Sequence, residues 1–268
     1  MSRKNWASDK IFFRLLNNKS DKTYFENIRE LRRRPDQEVF EKSYGLAMSG
    51  NDKEKEIGID VLAQLGATPR PFYKPSVKLY FELLPTLTNP GVLYALLYAV
   101  SHNNEKLHST QIAAISLFKN HADTNIRQAV VASLLGVDNT AAINILIELS
   151  NDKVISIRNW ATFGLGSQIK RKGRNITAAL WNRTGEKHQE TRFEAIVGLA
   201  VRKDTRTKDL IKRELAAGEF GTLLFSAIEE LGDIEFLPIL KKLYKKSKVD
   251  DSISVHWLKA LKNCIDEL

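Results

Sequence analysis

The side chains best able to do chemistry in this 268-residue chain are cations. Lys170, Arg171, Lys172 and Arg174 form one cluster, and Arg202, Lys203 and Arg206 form another about one repeat length further on. Lys208 and Lys212, then Lys241 and Lys245, stand at i,i+4 spacing, which places each pair on one face of a helix. Groups of this kind recognise carboxylates and phosphates. Arg127, Arg158 and Arg192 each follow an acid by a few positions (Asp123, Asp152, Glu190) and suit a structural ladder of Arg–carboxylate bonds between successive units. Nucleophilic and metal chemistry find no such pattern. His102, His108, His121, His188 and His256 include no i,i+4 ligand pair, and the chain has no G-x-S-x-G, Walker A or G-x-G-x-x-G motif. The single cysteine, Cys264, excludes a disulfide framework and a multi-cysteine zinc module, and favours a reducing compartment. No metal or cofactor is expected.

The elements that carry these cations recur. IRNWATFGLG (Ile157 to Gly166) aligns with TRFEAIVGLA (Thr191 to Ala200), matching Arg158 with Arg192, Ala161 with Ala195, Gly164 with Gly198 and Leu165 with Leu199. Arg to Ala is three steps and Ala to Leu four, so Ala and Leu share one helical face with Arg at its border. The same frame places anchors at Leu65, Val100, Leu134, Leu165, Leu199, Leu231 and Leu261, separated by 35, 34, 31, 34, 32 and 30 residues, with Leu31 as a candidate first member. A second apolar-periodic segment lies between consecutive anchors, as in AAINILIEL and KDLIKREL. Each unit therefore reads as a helical hairpin, with an A helix bearing the anchor and a B helix after it. One hairpin cannot bury its apolar face alone, whereas stacked hairpins share a continuous core.

Local signals mark the joints. Asp123, Asp152 and Asp251 stand where a carboxylate would cap an A helix. Gly66, Gly166 and Gly232 stand where a left-handed residue would end one. Trp160 and Trp257 read as core aromatics at repeat junctions, and Trp181 as a buried one. Five of the seven prolines, Pro69, Pro71, Pro75, Pro85 and Pro90, crowd one unit, which predicts an irregular repeat over 69–90 with a short B helix near 76–84. The same unit gathers Phe72, Tyr73, Tyr80, Phe81, Tyr94 and Tyr98, read mainly as core filling.

Composition narrows the class further. With 43% apolar and 27% charged residues the chain is neither collagen-like nor wholly disordered. Its longest apolar run, Val92 to Val100, falls well short of the roughly 20 residues a membrane helix needs. The start lacks the apolar core of a secretory signal, so a cytoplasmic protein without membrane partners is expected. The net charge of +9 is uneven. Residues 1–34 hold 10 basic and 4 acidic side chains, residues 153–217 hold 15 and 6, residues 71–150 hold 5 of each, and residues 218–268 hold 7 and 9.

The D-x-x-[IV]-R-x-x-A-x-x-x-L-G style of the repeat resembles the bacterial HEAT-like repeats, including those of phycobilisome-lyase type. Between Asp152 and Tyr244, the strings SIRNWATFGLG, ETRFEAIVGLAVRKDTR and AIEELGDIEFLPILKKLY are similar to the HEAT-repeat immunity proteins that accompany Rhs-type polymorphic toxins. The resemblance implies an α-solenoid that binds another protein and supplies no catalytic residues. The His-Glu dipeptides of deoxyhypusine hydroxylase-like proteins are missing: the five histidines precede Asn, Ser, Ala, Gln and Trp.

The expected architecture is all-α: a right-handed α-solenoid of about seven HEAT-like helical pairs forming a single domain over 1–268. Helix 8–18 is its N-terminal cap and 250–266 its C-terminal one. The expected function is non-catalytic binding of a protein with an acidic patch, by a monomer, through a basic ridge and groove. The ridge is Lys170, Arg171, Lys172, Arg174, Arg202, Lys203 and Arg206; the groove adds Lys208, Lys212, Lys241 and Lys245. An immunity or antitoxin protein is the specific form of this reading. A nucleic-acid-binding protein using the same ridge and a lyase-type enzyme of the repeat family are the alternatives.

Overall fold

Several helices start at a short polar side chain that accepts a hydrogen bond from a free backbone N–H, as at Asp36, Asn51, Asn89, Asp123, Asn139 and Ser254. The computed structural model describes residues 3–268, and among these there are sixteen α-helices and no strand. Residues up to Val137 form one compact unit and Asp138–Leu268 a second.

In the first unit the helices are α1 (Ser8–Leu16), α2 (Asp21–Arg32), α3 (Gln37–Ser49), α4 (Asp52–Ala63), α5 (Tyr73–Leu83), α6 (Pro90–Ser101), α7 (Ser109–Ser116) and α8 (Thr124–Leu134). Helices α2, α4, α6 and α8 pack in succession, so the A helices make one continuous row, with α3, α5 and α7 against them. In the second unit they are α9 (Thr140–Leu149), α10 (Ile155–Phe163), α11 (Arg174–Trp181), α12 (Gln189–Val201), α13 (Thr207–Ala217), α14 (Thr222–Leu231), α15 (Leu237–Ser247) and α16 (Val255–Glu267). Here α10, α12, α14 and α16 form the packed A row. Both units are stacks of helical hairpins, and the fold is that of an α-solenoid.

The anchors behave as their spacing demands. Leu31, Leu65, Val100 and Leu134 are buried in the first unit, and Leu165, Leu199 and Leu261 in the second. Leu231 is the exception and is only half-buried. Ile228, three residues earlier on the same face of α14, takes the deep position instead.

Several local expectations need correction. Trp160 is 46% exposed, because Ile157, Ala161 and Leu165 occupy the core face of this segment and leave the indole edge-on to Phe163 at 5.5 Å. Trp257 is half-buried, 5.0 Å from the Phe225 ring. Asp123 does cap α8, accepting from the Asn125 amide at 2.8 Å, but α16 is capped by Ser254 rather than Asp251. Gly66 and Gly232 have φ of 84° and 68°, as helix-ending glycines should. Gly166 does not end a helix. It lies in a π-helical segment, Gly164–Gln168, that continues α10.

That segment explains why two glycines face each other. A Cβ on Gly198 would lie 2.5 Å from the Cα of Gly166, and one on Gly166 would lie 2.5 Å from the Glu194 carbonyl oxygen. In an open helix, Gly→Ala would gain about 1 kcal/mol from propensity. Here overpacking against backbone is expected to reverse the sign, and Gly198→Ala should lose about 1–3 kcal/mol. A urea midpoint at or above that of the parent chain would refute the packing argument.

The proline-rich repeat is irregular as expected, with nonhelical chain from Gln64 to Phe72 and a 3-10 turn at Leu84–Thr86. Its B helix begins three residues earlier than expected, at Tyr73. Of its aromatic group only Tyr80 is fully buried; Phe72, Tyr73, Phe81 and Tyr98 are half-buried, with Phe72 stacked on Phe40 at 4.3 Å, so core filling holds for Tyr80 alone. Tyr94 is the exposed member, in contact with Tyr98 at 4.6 Å.

Candidate functional site

All the ridge and groove cations lie in the second unit, at the end of α12, on the connections before α11 and α13, and on α11, α13 and α15. The structure separates them into three groups according to what their charged ends meet.

Arg202 is not on the surface. It ends α12 on the stripe of Ala195 and Gly198, and this register turns it inward to 7% exposure. Its Nη1 donates to the Gly198 carbonyl at 2.7 Å, and its Nη2 donates to the carbonyls of Leu165 (2.8 Å) and Ile169 (2.7 Å). Burial with no neighbouring carboxylate pushes its pKa down. Its role is therefore to fasten the end of α12 to the chain entering Lys170–Arg174.

Other cations are spent on partners inside the unit. Arg171 pairs with Asp138 at 2.7 Å and donates to Thr140 Oγ1 at 2.9 Å. The Lys203 ammonium donates to the Glu230 carbonyl near the end of α14, where the helix dipole favours a cation. Lys208 bridges Asp233 (2.6 Å) and Glu235 (2.8 Å), and Lys212 reaches Glu235 at 3.3 Å. The expected four-lysine stripe is thus neutralised over half its length. Lys241 and Lys245 are exposed and form no ion pair among the described residues.

The remaining cations converge on an aromatic residue. Lys172, Arg174 and Arg206 line an open cleft of about 710 Å³ with Gly173, Thr177, Ala178, Trp181 and Asn182, and no carboxylate lines it. Trp181 is half-buried rather than buried, with the Arg206 guanidinium 4.4 Å from its ring centre. One carboxylate behind the wall aligns both: Asp204 accepts from Arg206 Nη2 at 2.6 Å, Arg206 Nε at 2.9 Å and Trp181 Nε1 at 3.0 Å. The bonds from Arg206 hold the Asp204 carboxyl down to about 2, so the clamp stays ionised at neutral pH. Lys170 and Lys172 are exposed beside the cleft, without ion pairs among the described residues. An arrangement with free cations, a fixed guanidinium and a flat aromatic edge suits a carboxylate-bearing ligand with apolar side chains.

The arginine ladder has a different construction from the one expected. Nη1 of Arg127, Arg158 and Arg192 donates to the backbone carbonyl six residues upstream, at His121 (2.9 Å), Asp152 (2.8 Å) and Glu186 (2.8 Å). Arg158 also grips Glu186 at 2.9 Å and Arg192 grips Glu214 at 3.2 Å, both downstream acids. These arginines tie the loop before each A helix to that helix. Of the histidines, His188 caps α12, and His102 contacts Gln64. Among the described residues, no group of three or more His, Cys, Asp or Glu side chains is placed to hold a metal ion, and no helix is long and apolar enough to cross a membrane. Cys264 is buried, and burial pushes its thiol up to about 12.

Stacked helical hairpins define the fold class as an α-solenoid, similar in structure to armadillo and HEAT-like repeat proteins. Within that class the chain is homologous to protein YibA of Escherichia coli K12, with 32% identity over 123 residues covering 46% of this chain and 44% of YibA. The alignment thus spans less than half the length of the curated relative. The crystal structure of E. coli YibA superposes with a TM-score of 0.74, covering 99% of this chain and 93% of that one at 24% identity. A designed armadillo repeat protein in complex with the peptide (KR)4 superposes at 0.51, with 12% identity, over 72% of this chain and 98% of its own. No protein-family model matches the chain.

Proposed function

We propose that this chain is a non-catalytic helical-repeat scaffold of the cytoplasm that binds an acidic segment of another protein. The observation that carries this reading is the cleft where Lys172, Arg174 and Arg206 meet Trp181 without a lining carboxylate. Its walls are fixed by Arg202 and Asp204, so little ordering opposes binding. A designed armadillo repeat protein of similar fold forms a complex with the peptide (KR)4, which supports a peptide as the kind of ligand. That peptide is basic; the free charge in this cleft calls for the opposite sign. The specific form of the proposal, motivated by the likeness of Asp152–Tyr244 to Rhs-toxin immunity proteins, is steric occlusion of a toxin by this preformed surface.

The test uses a fluorescent peptide of alternating Asp and Glu with one central Leu. Binding should weaken about tenfold or more in the double variant Lys172→Glu, Arg174→Glu, whose side chains are exposed, with the melting temperature unchanged. An unaltered affinity would overturn the assignment of the cleft. Preferential binding of random-sequence duplex DNA, with steep salt dependence, would replace the protein partner by nucleic acid.

A further inference from the structure

A second cleft lies in the first unit, where α2 ends against the turn that follows α4. Its volume is about 870 Å³, within the range of small-molecule sites. Arg29, Arg32, Arg33 and Arg70 line it with Phe25, Pro35, Gln64 and the Gly66–Thr68 turn, and no Asp or Glu does. Cations near a helix C-terminus are ordinary partners of the helix dipole, and that accounts for some of this charge. It does not account for the convergence of Arg70, which arrives from the proline-rich segment.

The walls are preset. Arg32 is locked by donating Nε (2.9 Å) and Nη2 (2.7 Å) to the Asp60 carbonyl and Nη1 (3.0 Å) to Gln64. Gly66, with φ of 84°, turns the chain back so that its amide reaches the Arg32 carbonyl at 2.8 Å. Arg70 donates Nη1 to the His102 carbonyl at 2.7 Å, while its Nε is buried and unpartnered. Arg29 and Arg33 are exposed and form no ion pair among the described residues. Neither nearby acid lines the cleft: buried Glu30 pairs with Arg34 at 2.9 Å, and half-buried Asp60 accepts from the Tyr24 hydroxyl at 2.7 Å. The local field is therefore positive. It also acts on His102, which burial, Arg32 and Arg70 together hold below its usual range. Phe25 and Arg29 share one side of α2, and Phe25 is 58% exposed at the edge of the cleft.

We propose that this cleft binds a nucleotide-sized phosphorylated molecule, its phosphoryl groups on Arg29, Arg33 and Arg70 and its flat ring on Phe25. Guanidinium forks match phosphate oxygens bidentately, and an exposed phenyl face stacks on a heterocycle. A small ligand fits better than a peptide because the charge is gathered in one concavity instead of being spaced along a row.

Isothermal titration of the whole chain with pyrophosphate and with ADP at low salt tests this. Both should bind one to one, ADP more tightly. Arg29→Glu with Arg33→Glu should weaken both by about 30-fold or more, because two contacts become repulsive. Phe25→Ala should weaken ADP several-fold and leave pyrophosphate unchanged. The pair Lys172→Glu, Arg174→Glu should change neither, which separates this site from the peptide cleft. Absence of binding, binding indifferent to the Arg29 and Arg33 reversals, or ADP no tighter than pyrophosphate would overturn the assignment. So would an acidic peptide that binds at these arginines in preference to both.

Discussion

Arg202→Met is expected to destabilise the fold by about 3 kcal/mol, although a methionine fills similar space and removes a buried charge. The substitution leaves the carbonyls of Gly198, Leu165 and Ile169 without their donor. Each stranded buried carbonyl costs about 1–3 kcal/mol, and relief of the cation's desolvation returns only part of that sum. A second readout follows from what the residue fastens. Ile169 precedes the Lys170–Arg174 connection, so Arg202→Met should also weaken acidic-peptide binding several-fold from a position that touches no ligand. Urea denaturation supplies the first number and peptide titration the second. A stability loss under about 1 kcal/mol would show that the carbonyls find other donors.

The other large effect is expected at the anchors. Leu199→Ala should cost about 2–5 kcal/mol, since this leucine is fully buried in α12, which packs against both α10 and α14. Leu231→Ala should cost less than half as much, because Leu231 is only half-buried and Ile228 carries the burial in α14. Parallel denaturation of the two variants checks the ratio. Equal losses would mean that the repeat frame, rather than the burial at each site, sets the energetics.

These two residues also show what a sequence can and cannot reveal here. The anchor spacing was readable because a helix row has one period and one buried face, so Leu165 and Leu199 had little freedom to lie elsewhere. Arg202 was readable in principle: counted from Ala195 and Gly198 it continues the inner stripe, yet its charge suggested the surface. Register and three carbonyl acceptors hold it inside, where charge alone points to solvent. Trp160 erred in the opposite sense, since an aromatic beside a core stripe need not belong to it. The cleft at Trp181 was beyond reach, because Asp204 and Arg206 come from the following connection and meet the indole only after folding. The arginine cleft combines a legible row, Phe25, Arg29 and Arg33, with an arrival from the proline-rich segment that no periodicity announces.

The six-residue reach of Arg127, Arg158 and Arg192 has a further consequence. Their shared acceptors are main-chain oxygens, and the next positions, Ala122, Lys153 and Lys187, point to solvent. The mechanical joint between loop and helix is therefore indifferent to what those three positions display. Mutational drift or laboratory diversification can rewrite that strip of surface while the hinge beneath it keeps its grip.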